Sequence, residues 1–285
     1  EHMAIPIGIN SWVWTSPFTD DTLGLIQKAK DFGFDTFELP LEDPAHVTPA
    51  KAAEAFKKAN IRPIICGAFG PGRDLSSDSA ADRNGSLAYI KSALKLCKAV
   101  GATVLGGPMY SSVGKRRQVP DKQRKKEWDQ AVKGVQKAGK MAADHGVTLG
   151  VEPINRFEID LINTSAQALK FVTEVGLPNV GIHLDTFHVN IEEKSFHEAI
   201  TTAGKHLVHL HVCENDRGTP GTGLIDWKQV AKALKEVDYK GDATIESFTP
   251  ECKTIAAAAA IWRKLAPSQD EMARDGLKFL RKLLK

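Results

Sequence analysis

Eight short apolar, β-branched runs alternate with helix-length amphipathic segments along the whole chain, and this alternation limits the fold more than any other feature. The runs lie near residues 5–10, 36–39, 62–66, 103–106, 148–152, 180–185, 207–212 and 242–246. Strands separated by helices pair in parallel, because only a crossover of helical length returns the chain to the same end of a sheet. Eight such units in 285 residues suit a closed (β/α)8 TIM barrel, an α/β fold, better than an open doubly wound sheet. No G-x-G-x-x-G follows the first run, which removes the best marker of a dinucleotide-binding sheet. No low-complexity linker divides the chain, so residues 1–285 read as one domain.

Local signals agree with that plan. Trp128, Ala131, Val132, Val135, Ala138 and Ala142 share one helical face. Asp20 or Thr22 is placed to start the first helix, and Gly33 to stop it. Near the end, Pro267 is expected to stop the eighth helix. "SQDE" then reads as a capping box, with Ser268 as cap and Glu271 reaching back, ahead of an extra C-terminal helix that packs through Leu277, Leu280 and Leu284. Glu1-His2 before Met3 reads as the remnant of an expression tag.

Composition excludes several classes. With 42% hydrophobic and 26% charged residues, and no apolar segment of membrane-spanning length, the chain reads as a soluble protein without a membrane partner. The start lacks a signal-peptide pattern, and four scattered cysteines lack C-x-x-C spacing; both point to a reducing, cytoplasmic setting. Net charge is +3, but "KRRQVPDKQRKK" at 115–126 alone holds seven basic residues and one acid. The remainder is slightly acidic, unlike a nucleic-acid binder with charge spread over a face, so this stretch reads as a solvated loop and helix start.

Chemistry in such barrels sits where the strands end. The fifth run ends at Glu152, the sixth at Asp185, the seventh near His211 and the eighth at Glu246. Alternation sets His183 and Asp185 opposite Val180, Ile182 and Leu184, and His209 and His211 opposite Val208, Leu210 and Val212. If the apolar faces meet the helices, the polar residues point inward, where branched apolar side chains are usual. A divalent cation held by Glu152, Asp185, His211 and Glu246 explains them together. Three carboxylates and one imidazole suit Mn2+, with Co2+ or Mg2+ as alternatives. His183 and His209 lie a layer deeper, where supporting roles are expected.

Four stretches in order, "VEPINRFE" (151–158), "GIHLDTFHVNIEE" (181–193), "HLHVCENDRGTPGTG" (209–223) and "ATIESF" (243–248), resemble the ketose 3-epimerases. This is the D-tagatose/D-psicose 3-epimerase group of the xylose-isomerase-like barrels. The resemblance implies an isomerase that inverts carbon 3 of free ketoses, through an enediolate, with one divalent metal ion per subunit. It implies the same four ligands, with Glu152 and Glu246 exchanging the carbon-3 proton on opposite faces. Glu158, His188 and Arg217 match residues that hold the oxygens on carbons 1 and 2, and a homodimer or homotetramer is expected. Position alone adds Trp14, Cys66 and Phe248 as further sugar contacts, and Arg156 as the partner of a carboxylate.

Related chemistry remains open on the residues alone. An aldose–ketose or hydroxypyruvate-type isomerase would move a proton between carbons 1 and 2 with similar ligands. An apurinic endonuclease of the same superfamily would need more strand-end histidines for several zinc ions. A binding protein without turnover would keep the ligands too.

Overall fold

The computed structural model describes residues 4–285; the tag expectation for Glu1-His2 lies outside them. Among the described residues, eight parallel strands close into a barrel in sequence order. They are β1 (Ile7–Asn10), β2 (Thr36–Leu41), β3 (Arg62–Gly67), β4 (Val104–Gly107), β5 (Thr148–Val151), β6 (Val180–Asp185), β7 (Leu207–Val212) and β8 (Ala243–Ile245). Closure is made by β1 against β8, with Gly8 opposite Thr244. Helices α1 (Gly24–Phe32), α2 (Pro49–Ala59), α3 (Ala80–Val100), α4 (Asp121–Asp144), α5 (Ser165–Val175), α6 (Thr186–Glu192), α7 (Phe196–Ala203), α8 (Trp227–Glu236), α9 (Lys253–Ala258) and α10 (Gln269–Leu283) complete the chain.

The apolar faces pack as their spacing requires. On α4, Ala131, Val135, Ala138 and Ala142 are buried, with Trp128 and Val132 packed at the margin. Helix α1 is entered through a 3-10 turn at Asp20–Thr22 capped by Thr19, and it ends on Gly33 in the left-handed conformation. Leu277, Leu280 and Leu284 bury the inner face of the C-terminal helix α10.

Two local expectations need correction. The helix after β8 ends at Ala258, well before Pro267, because Ala260 takes a left-handed φ of 55° that breaks the helical path. Ser268 does cap α10, accepting from the Glu271 backbone N–H at 3.1 Å. The reciprocal half of the box differs: the Glu271 carboxylate takes the Ser268 hydroxyl at 2.9 Å instead.

The inside of the barrel is unusual. Asn10, Thr36, Glu38, His183, Asp185, His209, His211 and Thr244 are all fully buried. Glycines make the room: a Cβ on Gly106 would sit 2.8 Å from His183 Nδ1, so a side chain there would expel the imidazole.

Candidate active site

The site stands on the C-terminal ends of β5 to β8. Glu152 is the residue after β5, its N–H bonded to the Gly107 carbonyl at 3.1 Å, and the following proline keeps it extended. Asp185 ends β6 and caps α6: Oδ1 accepts from the Phe187 N–H at 2.8 Å, while Oδ2 lies 3.8 Å from His211 Nδ1 and accepts from Arg217 Nη1. His211 pairs in register with Asp185 across β6 and β7. Glu246 follows β8, with its N–H directed at the Val212 carbonyl.

These four side chains converge. From His211 Nδ1, the nearest carboxylate oxygens of Glu246, Asp185 and Glu152 lie at 3.1, 3.8 and 3.9 Å. Ligand atoms of Glu152, Asp185 and His211 fall within 4.8 Å of one another, and Glu246 belongs with Glu38, Cys66 and His211 in an overlapping group. His211 Nδ1 and Glu152 Oε2 are buried without a hydrogen-bond partner. Three carboxylates around an unpaired ring nitrogen form a hard donor set with a deficit of positive charge, which fits a divalent cation.

Electrostatics report the same deficit. Burial pushes Glu152 well above the carboxylate range, with Glu246 and Asp185 adding to the effect and His211 opposing it. Burial acts against a charged His211, yet Glu246, Glu38 and Asp185 hold its imidazole well above the ordinary range. Asp185, despite burial, is held well below its usual value by Arg217 and His211.

Arg217 closes the site from the β7–α8 loop. Its Nη1 lies 2.7 Å from Asp185 Oδ2 and 3.1 Å from Glu246 Oε1. The guanidinium is stacked between Phe187 and Phe248, at 4.1 and 5.4 Å from the ring centroids. The backbone holds a left-handed φ of 69°, pinned by the Ser247 hydroxyl on its carbonyl at 2.6 Å. Such a conformation in a non-glycine residue costs on the order of 1 kcal/mol and persists only where the surroundings impose it.

His188 and Glu158 meet beside Arg217. His188 Nδ1 accepts from the Asn155 backbone N–H at 3.1 Å, so the neutral ring carries its proton on Nε2. Burial lowers this imidazole to about 3, which keeps it neutral. Nε2 then faces Arg217 Nη2 at 3.4 Å, donor toward donor. Glu158 accepts from Asn155 Nδ2 at 2.5 Å and lies 3.6 Å from the His188 ring; burial raises its pKa.

The remaining expected contacts divide. Cys66 and Phe248 come together in a small apolar cluster with Trp12, Ala256 and Ile261, apart from the main core. Trp12 and Phe248 have ring centroids 5.4 Å apart, and burial pushes the Cys66 thiol up, so it stays neutral. Trp14 is not brought to them. Its indole donates to Asp270 at 2.9 Å, packs edge-on against Phe32 and lies under Lys28, facing α1 and α10. Arg156 pairs with Glu192 at 3.0 Å, as expected.

Three residues of the site escaped the reading of the sequence. Glu38 on β2 accepts from His209 Nε2 at 2.6 Å, His211 Nε2 at 2.5 Å and Asn10 Nδ2 at 2.6 Å. The signal was present, since Glu38 opposes Phe37 and Leu39 by the same alternation that exposed His211. Asn10, its partner in register, and Asn155 carry no such signal.

Comparison with known proteins now decides the family. The sequence model of the xylose isomerase-like TIM barrel family matches residues 26–283. The D-psicose 3-epimerase of Agrobacterium fabrum is 35% identical over 91% of this chain and 92% of its own length. The chain is a member of the ketose 3-epimerases. Among other ketose 3-epimerases, the L-ribulose 3-epimerase of Methylomonas sp. is 31% identical over 87% of both chains. A crystal structure of D-allulose 3-epimerase from Methylomonas sp. superposes with a TM-score of 0.93 at 30% identity, covering 99% of this chain and 98% of the other. Isomerase chemistry on sugars is therefore the activity of this ketose 3-epimerase fold, with its candidate metal cluster at the strand ends.

Proposed function

We propose that this enzyme inverts carbon 3 of free ketoses, with Glu152 and Glu246 exchanging the proton on opposite faces. One observation carries the reading: buried carboxylates from β5 and β8 approach His211 Nδ1, at 3.9 and 3.1 Å, with Asp185 also beside it. A cation held by Glu152, Asp185, His211 and Glu246, Mn2+ by its donor set, would supply the positive charge that stabilises electron density on the ketose oxygens.

The protein's own groups have distinct tasks. Inversion needs removal of the carbon-3 proton on one face and delivery on the other, so one glutamate enters each turnover as base and the other as acid. Burial, with Glu246 and Asp185 alongside, raises the Glu152 carboxyl well above its ordinary value before a cation is bound, and ligation acts in the opposite direction. Arg217 fixes Asp185 and Glu246, and with His188 Nε2–H it presents two donors that share no acceptor between them. A sugar oxygen placed there would satisfy both, with Glu158 accepting a hydroxyl. Trp12, Cys66 and Phe248 supply an apolar wall that excludes water near the chain of the sugar.

D-Psicose, D-tagatose and D-fructose, with L-ribulose as a ketopentose, are the substrate class supported by the relatives' names. The test is Mn2+-loaded protein in D2O with each ketose, followed by NMR. Deuterium at carbon 3 together with the epimer is expected; exchange at carbon 1 alone overturns the reading.

A homodimer or homotetramer is proposed for the assembly, supported by the exposed Phe157, Leu224 and Trp262 in loops beyond the strand ends. Light scattering on the purified protein reads it directly. Among the described residues, no helix is long and apolar enough to cross a membrane, and the four cysteines are free. A cytoplasmic setting is the proposal that suits those thiols.

A further inference from the structure

The basic run at 115–126 does not form an open patch. Lys115 Nζ lies 2.9 Å from Asp74 and 3.3 Å from Glu127, and Arg117 Nη2 lies 2.7 Å from Glu127. Arg117 Nε and Arg124 Nη1 both reach Asp160, at 3.2 and 2.8 Å, and Arg124 also stands 3.6 Å from Glu127. Three cations and three carboxylates thus interlock, with Glu127 only 2% exposed and the Lys115 side chain 14%. Lys125 and Lys126, further along, pair with Asp129 and Asp78.

Burying charges to this depth is a poor route to stability, because desolvation cancels most of the attraction; what such a network supplies is a fixed geometry. Its placement shows which geometry. Asp74 belongs to the β3–α3 loop, Lys115 and Arg117 to the β4–α4 loop, Arg124 and Glu127 to α4, and Asp160 to the β5–α5 loop. The backbone repeats the same links. Val113 N–H donates to the Phe69 carbonyl at 3.1 Å and Gly114 N–H to the Glu158 carbonyl at 2.7 Å. Arg116 reaches the Phe157 carbonyl at 3.1 Å, and the Arg117 N–H reaches Asp160 at 2.6 Å. The links from residues 114–124 to the β5–α5 loop fall on residues 157–160, around Glu158, while Tyr110, earlier in the β4–α4 loop, reaches the Ile162 carbonyl at 2.9 Å.

We infer that the Lys115–Asp74–Glu127–Arg117–Asp160–Arg124 network is a clamp that positions Glu158 for the sugar. These are positioning residues, and the inference rests on the reading of Glu158 as a sugar contact. The clamp ties Glu158 to a rigid helix, while Asn155 orients its carboxylate toward His188 and Arg217. A loop carrying one essential acceptor would otherwise sample many positions, and binding would bear the cost of ordering it.

The test uses the full-length, Mn2+-loaded enzyme and whichever of D-psicose, D-fructose, D-tagatose and L-ribulose it turns over fastest. Arg124→Gln changes a partly exposed member and preserves the fold best; Asp160→Asn is the second variant. KM, kcat and Tm are measured for each, for Glu158→Gln, and for Arg124→Gln combined with Glu158→Gln. Arg124→Gln is expected to raise KM roughly fivefold, kcat changing less, and to have no further effect on KM once Glu158 is already Gln. Arg124→Lys should recover part of the loss. If Glu158→Gln raises KM while both clamp variants only lower Tm, the clamp is refuted and the role of Glu158 stands. Additive effects in the double variant refute it equally. If Glu158→Gln leaves KM unchanged, the reading of Glu158 fails and the clamp fails with it.

Discussion

Glu38 Oε1 lies 2.5 Å from His211 Nε2, while the other ring nitrogen, Nδ1, faces the Glu246, Asp185 and Glu152 carboxylates. The bond assigns the proton of a neutral ring to Nε2 and leaves the Nδ1 lone pair for a cation. Glu38 itself, despite complete burial, stays well below the carboxylate range because His211 and His209 sit beside it.

Replacing Glu38 by Gln should therefore weaken the metal site without touching it. An amide cannot accept at both ends, so one of the two imidazoles loses its acceptor. Mn2+ affinity should fall about 10- to 100-fold, the usual loss for a group that orients a ligand. Isothermal titration reads this; a native dissociation constant in the Gln variant would show that His211 needs no such support.

Glu246→Gln should keep the fold and abolish epimerisation. The amide is nearly isosteric, but it neither takes nor returns a proton. With Glu152→Gln beside it, NMR in D2O from either epimer tests whether both faces need a carboxylate. Turnover near the parent rate in either variant removes that residue from proton transfer.

Stripping the metal should lower thermal stability as well as activity. A ligand that binds only the folded state stabilises by about 2.7 kcal/mol at a hundred times its dissociation constant. The relief of repulsion of Glu152 by Glu246 and Asp185 acts in the same direction. Scanning calorimetry after chelation, then with graded Mn2+, should show Tm rising with ion concentration. A Tm insensitive to the ion would count against binding at this cluster.

The two neighbouring tryptophans should separate cleanly. Trp12→Leu opens the wall formed with Phe248 and Cys66 and should raise KM for the ketose. Trp14→Leu removes the bond to Asp270 and the packing on Phe32, so it should lower Tm and leave KM alone. The reverse pattern would support Trp14 as the sugar contact.

Acid should weaken the Asp160 contacts. Burial alone would raise this carboxyl, but hydrogen bonds from Arg124 and Arg117 outweigh it and leave the folded-state pKa below the usual value. A depressed pKa contributes stability that is full above the unfolded value of about 3.9 and is lost as pH falls through the folded one. The Tm difference between the parent and Asp160→Asn should therefore be constant near neutrality and shrink below about pH 4. A difference that does not change with pH would mean the charge contributes nothing.

The fold and the gathering of charged side chains at the rim were legible because each rests on a short-range rule. Strand–helix alternation forces a parallel sheet, and residues at strand ends meet at one rim whatever the loops do. Glu152, Asp185, His211 and Glu246 followed from that alone. Trp14 shows where the rule stops. It is named by position alone, and past β1 the chain enters a 3-10 turn at Ser11–Val13, where the Trp12 indole donates to Glu42 and the Trp14 indole to Asp270.

The sequence by itself determined the barrel, its rim and the charges gathered there, since these depend on periodicity and chain order. Only the tertiary structure decided which partner each charge meets. Glu38 reaches His211, and Arg124 reaches Asp160, across sequence separations of 173 and 36 residues. Electrostatic and hydrogen-bond energies vary steeply over a few ångströms, and distances between remote segments exist only once the chain has folded.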